Sequence, residues 1–265
     1  MSIAFGPIVS RRFGRSLGVN HLPSKHCTCS CVYCQLGPTP RTSIERRVFY
    51  STDEIADAVE QRARGQQFDV ISFVPEGEPT LDIHLGAHIR AVKHLGKIVV
   101  ITNGSLLFDP GVRRDLAEAD LVSIEVDAID DVMWKRIDRP CPVLSLELVL
   151  EGMRTFAREF KGELWTQTML VDGYESDVSA FVRELAPQRA CDARPTRPCE
   201  VRPTGEADGD LKDAPVHTAE ELLAVLAVHP IREEAVPPAL VAELIDAGAI
   251  RREGKFVVDR RRPGG

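Results

Sequence analysis

The sequence predicts an α/β protein with a parallel sheet, open or curled into a partial barrel. A small C-terminal domain of winged-helix-like pattern follows it. Three observations carry this reading. From residue 51 to about 190, short apolar runs alternate with amphipathic segments of ten or more residues, the mark of repeated βα units. Residues 194–216 are rich in Pro, Gly and charge and have no apolar period, so they read as a linker. The last 49 residues, 217–265, then change pattern to two short helices and a hairpin.

The elements follow in order. Ser51 and Glu54 have capping-box spacing, with Ile55 and Val59 behind them at helical spacing. DVISFV (69–74) reads as a buried strand, 81–95 as a helix and KIVVIT (97–102) as a strand. A short helix over 109–119 has Pro110 near its start. LVSIEVD (121–127) is a strand, 144–160 a helix, ELWTQTMLV (163–171) a strand and 175–186 a helix. A linker at 204–216 divides 1–203 from 217–265. Past it, Thr218 and Glu221 repeat the capping box, with Leu222, Leu223 and Leu226 on one face. A second helix carries Leu240, Val241, Leu244 and Ile245 and stops at Gly248, and a hairpin turns at Glu253–Gly254.

Composition bounds the function. Of 265 residues, 43% are apolar and 28% charged, which excludes disordered and collagen-like chains. No apolar run approaches the roughly 20 residues of a membrane span, and the N-terminus lacks the apolar core of a signal peptide. The expected location is the cytoplasm. There, seven cysteines mean metal or redox chemistry more often than disulfides. The net charge of −7 is uneven. Residues 1–47 hold seven Arg or Lys against Glu45, and 251–262 hold six against Glu253 and Asp259, so the middle carries the negative excess. Such a chain is a poor non-specific binder of nucleic acid, although its basic ends suit a local anion. Arg11, Arg12 and Arg15 read either as an anion site or as a collar salt-bridged to the acidic middle.

The strongest signal is HCTCSCVYC at 26–34. Cys27, Cys31 and Cys34 have C-x3-C-x2-C spacing, and thiolates are soft ligands suited to Fe–S clusters, zinc or Cu(I). Three ligands on one loop would leave one iron of a [4Fe–4S] cluster open to a chelating small molecule. Cys29 reads as a bystander, since C-x-C neighbours reach two corners of one cube only with strain. A zinc site completed by His21 and His26 competes less well, because zinc motifs show two separated pairs. Cys141, Cys191 and Cys199 are scattered and form no such pair.

The cysteine loop, with aromatic Tyr33 before Cys34, resembles the cluster motif of radical S-adenosylmethionine (SAM) enzymes. GEPTL (77–81), ITNGSLL (101–107) and VSIEVDA (122–128) resemble successive strand ends of that superfamily. The segments FGPIVSRRFGRSLGVN, ARGQQFDVISFVPEGEPTLD, WKRIDRP (134–140) and TQTMLV (166–171) resemble one branch, Fe–S oxidoreductases distantly related to the tRNA wyosine-synthesis enzyme. The resemblance covers roughly residues 4–203. It implies a partial (βα)6-type barrel, a [4Fe–4S] cluster on Cys27, Cys31 and Cys34, and SAM as second cofactor. It further implies reductive cleavage of SAM to a 5′-deoxyadenosyl radical that abstracts hydrogen from substrate.

By the same resemblance, Gly77, Glu78 and Pro79 hold the SAM methionine moiety, with the loop backbone receiving its amino group. Asn103, Ser123 and Glu125 face its ribose or carboxylate, and Tyr33 and Leu170 flank the adenine. Two positions depart from the wider pattern: Glu76 precedes GEP where many relatives have Gly or Asn, and Met169-Leu170-Val171-Asp172-Gly173 replaces G-x-I-x-G. The expected partners are a reductant such as flavodoxin or ferredoxin and a substrate the sequence does not name: a peptide, a protein or a small molecule. Nucleic acid is less favoured. The alternatives are an RNA (tRNA)-modifying enzyme and a non-catalytic Fe–S sensor that binds DNA.

Overall fold

The computed structural model describes residues 2–10, 12–195, 199–200, 216–226, 231–254 and 256–260. The expected linker at 204–216 lies outside the described residues except for Val216, and so does Arg11.

Strands β1 (Ala4–Ser10) and β2 (Gly14–Val19) form an antiparallel hairpin. Helix α1 (Thr52–Ala63) follows, with the expected capping box in place between Ser51 and Glu54. The chain continues through β3 (Val70–Phe73), α2 (Leu85–Val92), β4 (Lys97–Thr102), α3 (Pro110–Leu116) and β5 (Leu121–Glu125). Then come α4 (Asp131–Ile137), α5 (Leu146–Glu159), β6 (Glu163–Met169), α6 (Ser179–Leu185) and β7 (Arg189–Ala193). The seven strands form one sheet in simple sequential order, with β2 to β7 all parallel.

That order explains the architecture. Right-handed crossovers that never reverse direction put every helix on the same face. The sheet curls so that its other face looks inward, giving the partial barrel expected from the sequence. The main core joins the helices to one parity of strand residues: Ile55, Ile89, Leu116, Trp134 and Phe156 pack with Leu17, Ile71, Ile98, Val122 and Leu164. The opposite parity lines the lumen. At its N-terminal end, Val70, Val99, Leu121, Ile101 and Trp165 surround Phe13, whose ring stacks on Trp165 at 5.3 Å. Nearer the C-terminal end the lumen turns polar, with Ser72, Ser123, Gln167 and Glu125.

Three elements depart from the periodicity. The helix expected over 81–95 is three pieces: a 3-10 turn at Pro79–Leu81, α2, and a second 3-10 turn at Lys93–Leu95. The Asp82 carboxylate accepts from His84 N at 2.8 Å and restarts the helix there. Helix α4 depends on one cap, Asp130 accepting from Met133 N at 2.8 Å. Strand β7 (RACDA) contains no β-branched residue and no alternation, so neither β signal exists.

The C-terminal part consists of α7 (Ala219–Leu226), β8 (Ile231–Arg232), α8 (Pro238–Asp246), β9 (Ile250–Glu253) and β10 (Phe256–Asp259). Its strands form a separate antiparallel sheet in the order β8-β10-β9, with the hairpin where the sequence placed it. Leu222, Leu226, Val241, Leu244, Ile250 and Val257 build its own small core. Ile8 and Val9 of β1 pack against that core, so this part rests on the open edge of the large sheet. No helix among the described residues is long and apolar enough to cross a membrane.

Candidate metal and cofactor site

The cysteine loop leaves β2 at the C-terminal edge of the sheet and is strung between two supports. On one side it meets the loop after β3: Lys25 N donates to Glu76 O at 2.7 Å and Glu78 N to His26 O at 2.8 Å. His26 and Gly77 pair as an isolated parallel bridge. A Cβ on Gly77 would stand 1.9 Å from His26 O, so only glycine permits this approach. On the other side Ser30 N reaches Asp138 O and Val32 N reaches Ile137 O, each at 2.9 Å. Cys29 pairs with Pro140, and Cys141 N donates to Thr28 O at 2.8 Å. The WKRIDRP segment is therefore the second anchor of the loop.

The anchoring sorts the cysteines. Cys27, Cys31 and Cys34 are half-buried, whereas Cys29 is 3% exposed. Asn103 Nδ2 lies 3.9 Å from Cys27 Sγ, Cys31 Sγ donates to Asp138 Oδ1 at 3.4 Å, and Lys25 Nζ lies 3.4 Å from Cys34 Sγ. Burial, then Cys29 and Glu78, push the Cys27 thiol well up. A hydrogen bond with Cys29, then burial, then Asp138 do the same to Cys31. Binding a metal here must release protons. His21 and His26 do not join the thiols. His21 Nε2 meets Pro79 O at 3.3 Å, and burial lowers its pKa to about 4. His26 Nδ1 faces Pro23 O. Among the described residues no three His, Cys, Asp or Glu side chains gather closely enough for a single metal ion.

Glu78 is buried and its carboxylate is fully engaged. It accepts from Thr80 N (3.1 Å), Thr80 Oγ1 (2.6 Å), Thr102 Oγ1 (2.6 Å) and Asn103 N (2.9 Å). Burial raises its pKa against those bonds. The Glu78 side chain thus ties the β3 and β4 strand ends together, and what the Gly77–Pro79 loop offers a ligand is backbone. Arg46 supports the same loop from behind, donating to Thr80 O at 2.8 Å and Asp82 O at 2.9 Å while pairing with Asp115. Asn103 Nδ2 donates to Thr28 Oγ1 at 2.8 Å, linking the β4 end to the cysteine loop.

The third wall is acidic. Tyr33 OH donates to Asp127 and, at 3.4 Å, to Glu125 Oε2. Asp127 also accepts from Met169 N at 2.7 Å and shares a hydrogen bond with Asp138. Burial first, then Asp127, push Glu125 up to about 8, against the opposing pull of Arg12. Burial likewise raises Asp127 and Asp138. Arg12 climbs from the β1–β2 turn past the Phe13 ring and hydrogen-bonds Gln167 in the lumen. Ser123 lies on the same inner face, in register between Ile101 and Trp165. Leu170 sits at the end of β6, its N donating to Ala193 O at 2.7 Å.

Of the sequence-named residues, the structure brings Cys27, Cys31, Cys34, Gly77, Glu78, Asn103, Tyr33 and Glu125 into one connected network; Pro79 follows in the same loop. Arg15 leaves it: its side chain faces Glu221 at 3.6 Å, as the collar reading expects. Asp138, Thr28, Lys25 and Arg46 were not singled out as individual site residues. Asp127 is visible in the sequence only as part of the VSIEVDA segment. The roles of the other four come from chain segments meeting in space, although Thr28 and Asp138 lie inside the HCTCSCVYC and WKRIDRP segments.

The donor set fits an iron–sulfur cluster with one open corner: three half-buried cysteines at C-x3-C-x2-C spacing on one short loop, with the fourth, Cys29, buried beside them. The chain belongs to the radical SAM superfamily, whose family model matches residues 22–184. It is 36% identical to the UPF0026 protein MJ1312 of Methanocaldococcus jannaschii, over 97% of this chain and 92% of that protein. Its fold is similar to TYW1 solved with a lysine–pyruvate adduct bound (TM-score 0.52, 14% identity, 94% of this chain and 81% of that one). It is also similar to Streptococcus suis SuiB bound to S-adenosylmethionine (TM-score 0.54, 15% identity, 72% of this chain and 45% of that one). The protein is a radical SAM enzyme whose cofactors are a [4Fe–4S] cluster and SAM.

Proposed function

We propose that Cys27, Cys31 and Cys34 hold the cluster, and that the chain uses it to cleave SAM and abstract hydrogen from a peptide, protein or small-molecule substrate. The observation that carries this is the Gly77–His26 contact, which fixes a backbone-presenting loop directly against the cysteine loop. When bound, the reduced cluster supplies the one electron that splits SAM into methionine and the 5′-deoxyadenosyl radical that attacks substrate. The chain's own residues bind and orient. The Gly77–Pro79 backbone receives the methionine amino group, held still by Glu78 and Arg46. Asn103, Ser123 and Glu125 face the ribose or carboxylate, and Tyr33 and Leu170 flank the adenine. Glu125, raised to about 8, holds a proton at neutral pH and offers a hydrogen-bond donor there. A low-potential flavodoxin or ferredoxin is the reductant. Among the described residues of the C-terminal hairpin, Arg252 is paired with Glu233 and Arg251 with Glu253.

The test is anaerobic reduction of the reconstituted protein with SAM, followed by measurement of 5′-deoxyadenosine. Product forms in the wild type and falls to background in Cys27→Ala, Cys31→Ala and Cys34→Ala, while Cys29→Ala keeps its iron and its product. A reduced cluster whose EPR spectrum is unchanged by SAM would sink the reading.

A further inference from the structure

We propose that Lys25 is a positioning residue that sets the reduction potential of the cluster through the Cys34 sulfur. The proposal rests on Cys34 being a cluster ligand.

The three ligand thiols have three different neighbours. Cys27 faces the neutral amide of Asn103, Cys31 the carboxyl of Asp138, and Cys34 the ammonium of Lys25, 3.4 Å away. Among the described residues Lys25 is the cation hydrogen-bonded to one of these sulfurs. The other charge near the loop is mostly acidic, with Glu78 acting on Cys27 and Asp138 on Cys31.

The placement of Lys25 is built at both ends. Its backbone sits at φ 64°, the left-handed region that a lysine rarely adopts. Lys25 N is held there by Glu76 O at 2.7 Å, and Glu76 N in turn by Asn20 Oδ1 at 3.0 Å. At the far end the ammonium also donates to Gly37 O. Gly37 N is bonded to Cys34 O at 2.9 Å, so the second acceptor moves with the ligand. A flexible four-carbon stem clamped at both ends keeps its charge over one sulfur. Reduction adds one negative charge to the cluster. A hydrogen-bond donor and a positive charge at a ligand sulfur favour that reduced state and raise the potential.

The experiment is an EPR-monitored redox titration of the full chain, reconstituted as wild type, Lys25→Arg and Lys25→Met, with iron and sulfide counted per chain. Arg and Met carry the same backbone strain at this position and differ in charge. In Lys25→Met the ratio of reduced to oxidised cluster at a fixed donor potential falls about tenfold, a downward shift of about 59 mV for a one-electron couple. Lys25→Arg stays near the wild type. Equal potentials in wild type and Lys25→Met overturn the proposal. So does a Met variant that only holds less iron, its remaining clusters titrating as wild type. A wild-type chain that shows no [4Fe–4S] signal overturns the cluster reading itself, and this proposal with it.

Discussion

The two ends of the barrel lumen are made by the same strands and do opposite things. At the N-terminal end, Phe13 and Trp165 stack among Val70, Val99 and Leu121, and the gain is burial of apolar surface. At the C-terminal end, Glu125, Asp127 and Asp138 crowd around Tyr33 and the cysteine loop, and burial penalises their charged forms. A strand alternating in and out carries one residue type low and another high without changing its pairing. One end stabilises the barrel, and the other carries the strained chemistry that the stable end tolerates.

The contrast can be broken from its stable end first. Phe13 is 9% exposed, and Phe13→Ala removes the centre of the plug. Unfolding free energy drops by about 3–5 kcal/mol, measured by denaturant or thermal melts. Below the new melting point the cysteine loop still takes up iron. An unchanged melt would show that the plug carries no stability.

Gly77→Ala strikes the junction between the ends' chemistry and scaffold. The new methyl meets His26 O at 1.9 Å, and backbone must move. Stability falls by about 1–3 kcal/mol. Unlike Phe13→Ala, this variant retains less iron per chain after gel filtration. Full iron retention would contradict the coupling of the two loops.

The smallest effect sharpens the polar end. Glu125 has its pKa raised to about 8 from an ordinary 4.5. Its contribution is fully present below pH 4.5 and is lost as pH rises through about 8, because the folded state holds a proton that the unfolded chain has released. Apo-protein stability should therefore decline across that window, and Glu125→Gln should decline less steeply. Parallel pH profiles for the two proteins would remove Glu125 as the source.

Much of this was legible in advance. KIVVIT at 97–102 coincides with β4, and the Ser51 capping box stands as spaced, because both are local signals. The C-x3-C-x2-C spacing puts Cys27, Cys31 and Cys34 on one loop, where they are half-buried and Cys29 is buried. The sequence marks the Glu78 loop but not the four internal bonds that tie its carboxylate to Thr80, Thr102 and Asn103. Nothing in its neighbours along the chain announces Thr102. The sequence reading places no strand at β1, β2 or β7: Gly6 and Pro7 interrupt β1, two glycines interrupt β2, and β7 has no β-branched residue. An edge strand of polar and small residues such as β7 is stabilised by its partner, not by its own propensity.

By itself the sequence determined the order of βα units, the spacing of the cysteines in one loop and the motifs that tie the chain to its superfamily. These depend on spacing of a few residues, which covalent geometry carries intact into the fold. Only the tertiary structure decided that Asp138 and Lys25 bear on the thiols, that Arg12 enters the lumen while Arg15 does not, and that the C-terminal part rests against β1. Those contacts join residues from separate segments of the chain. Their existence depends on sheet register and curl, which no local pattern specifies.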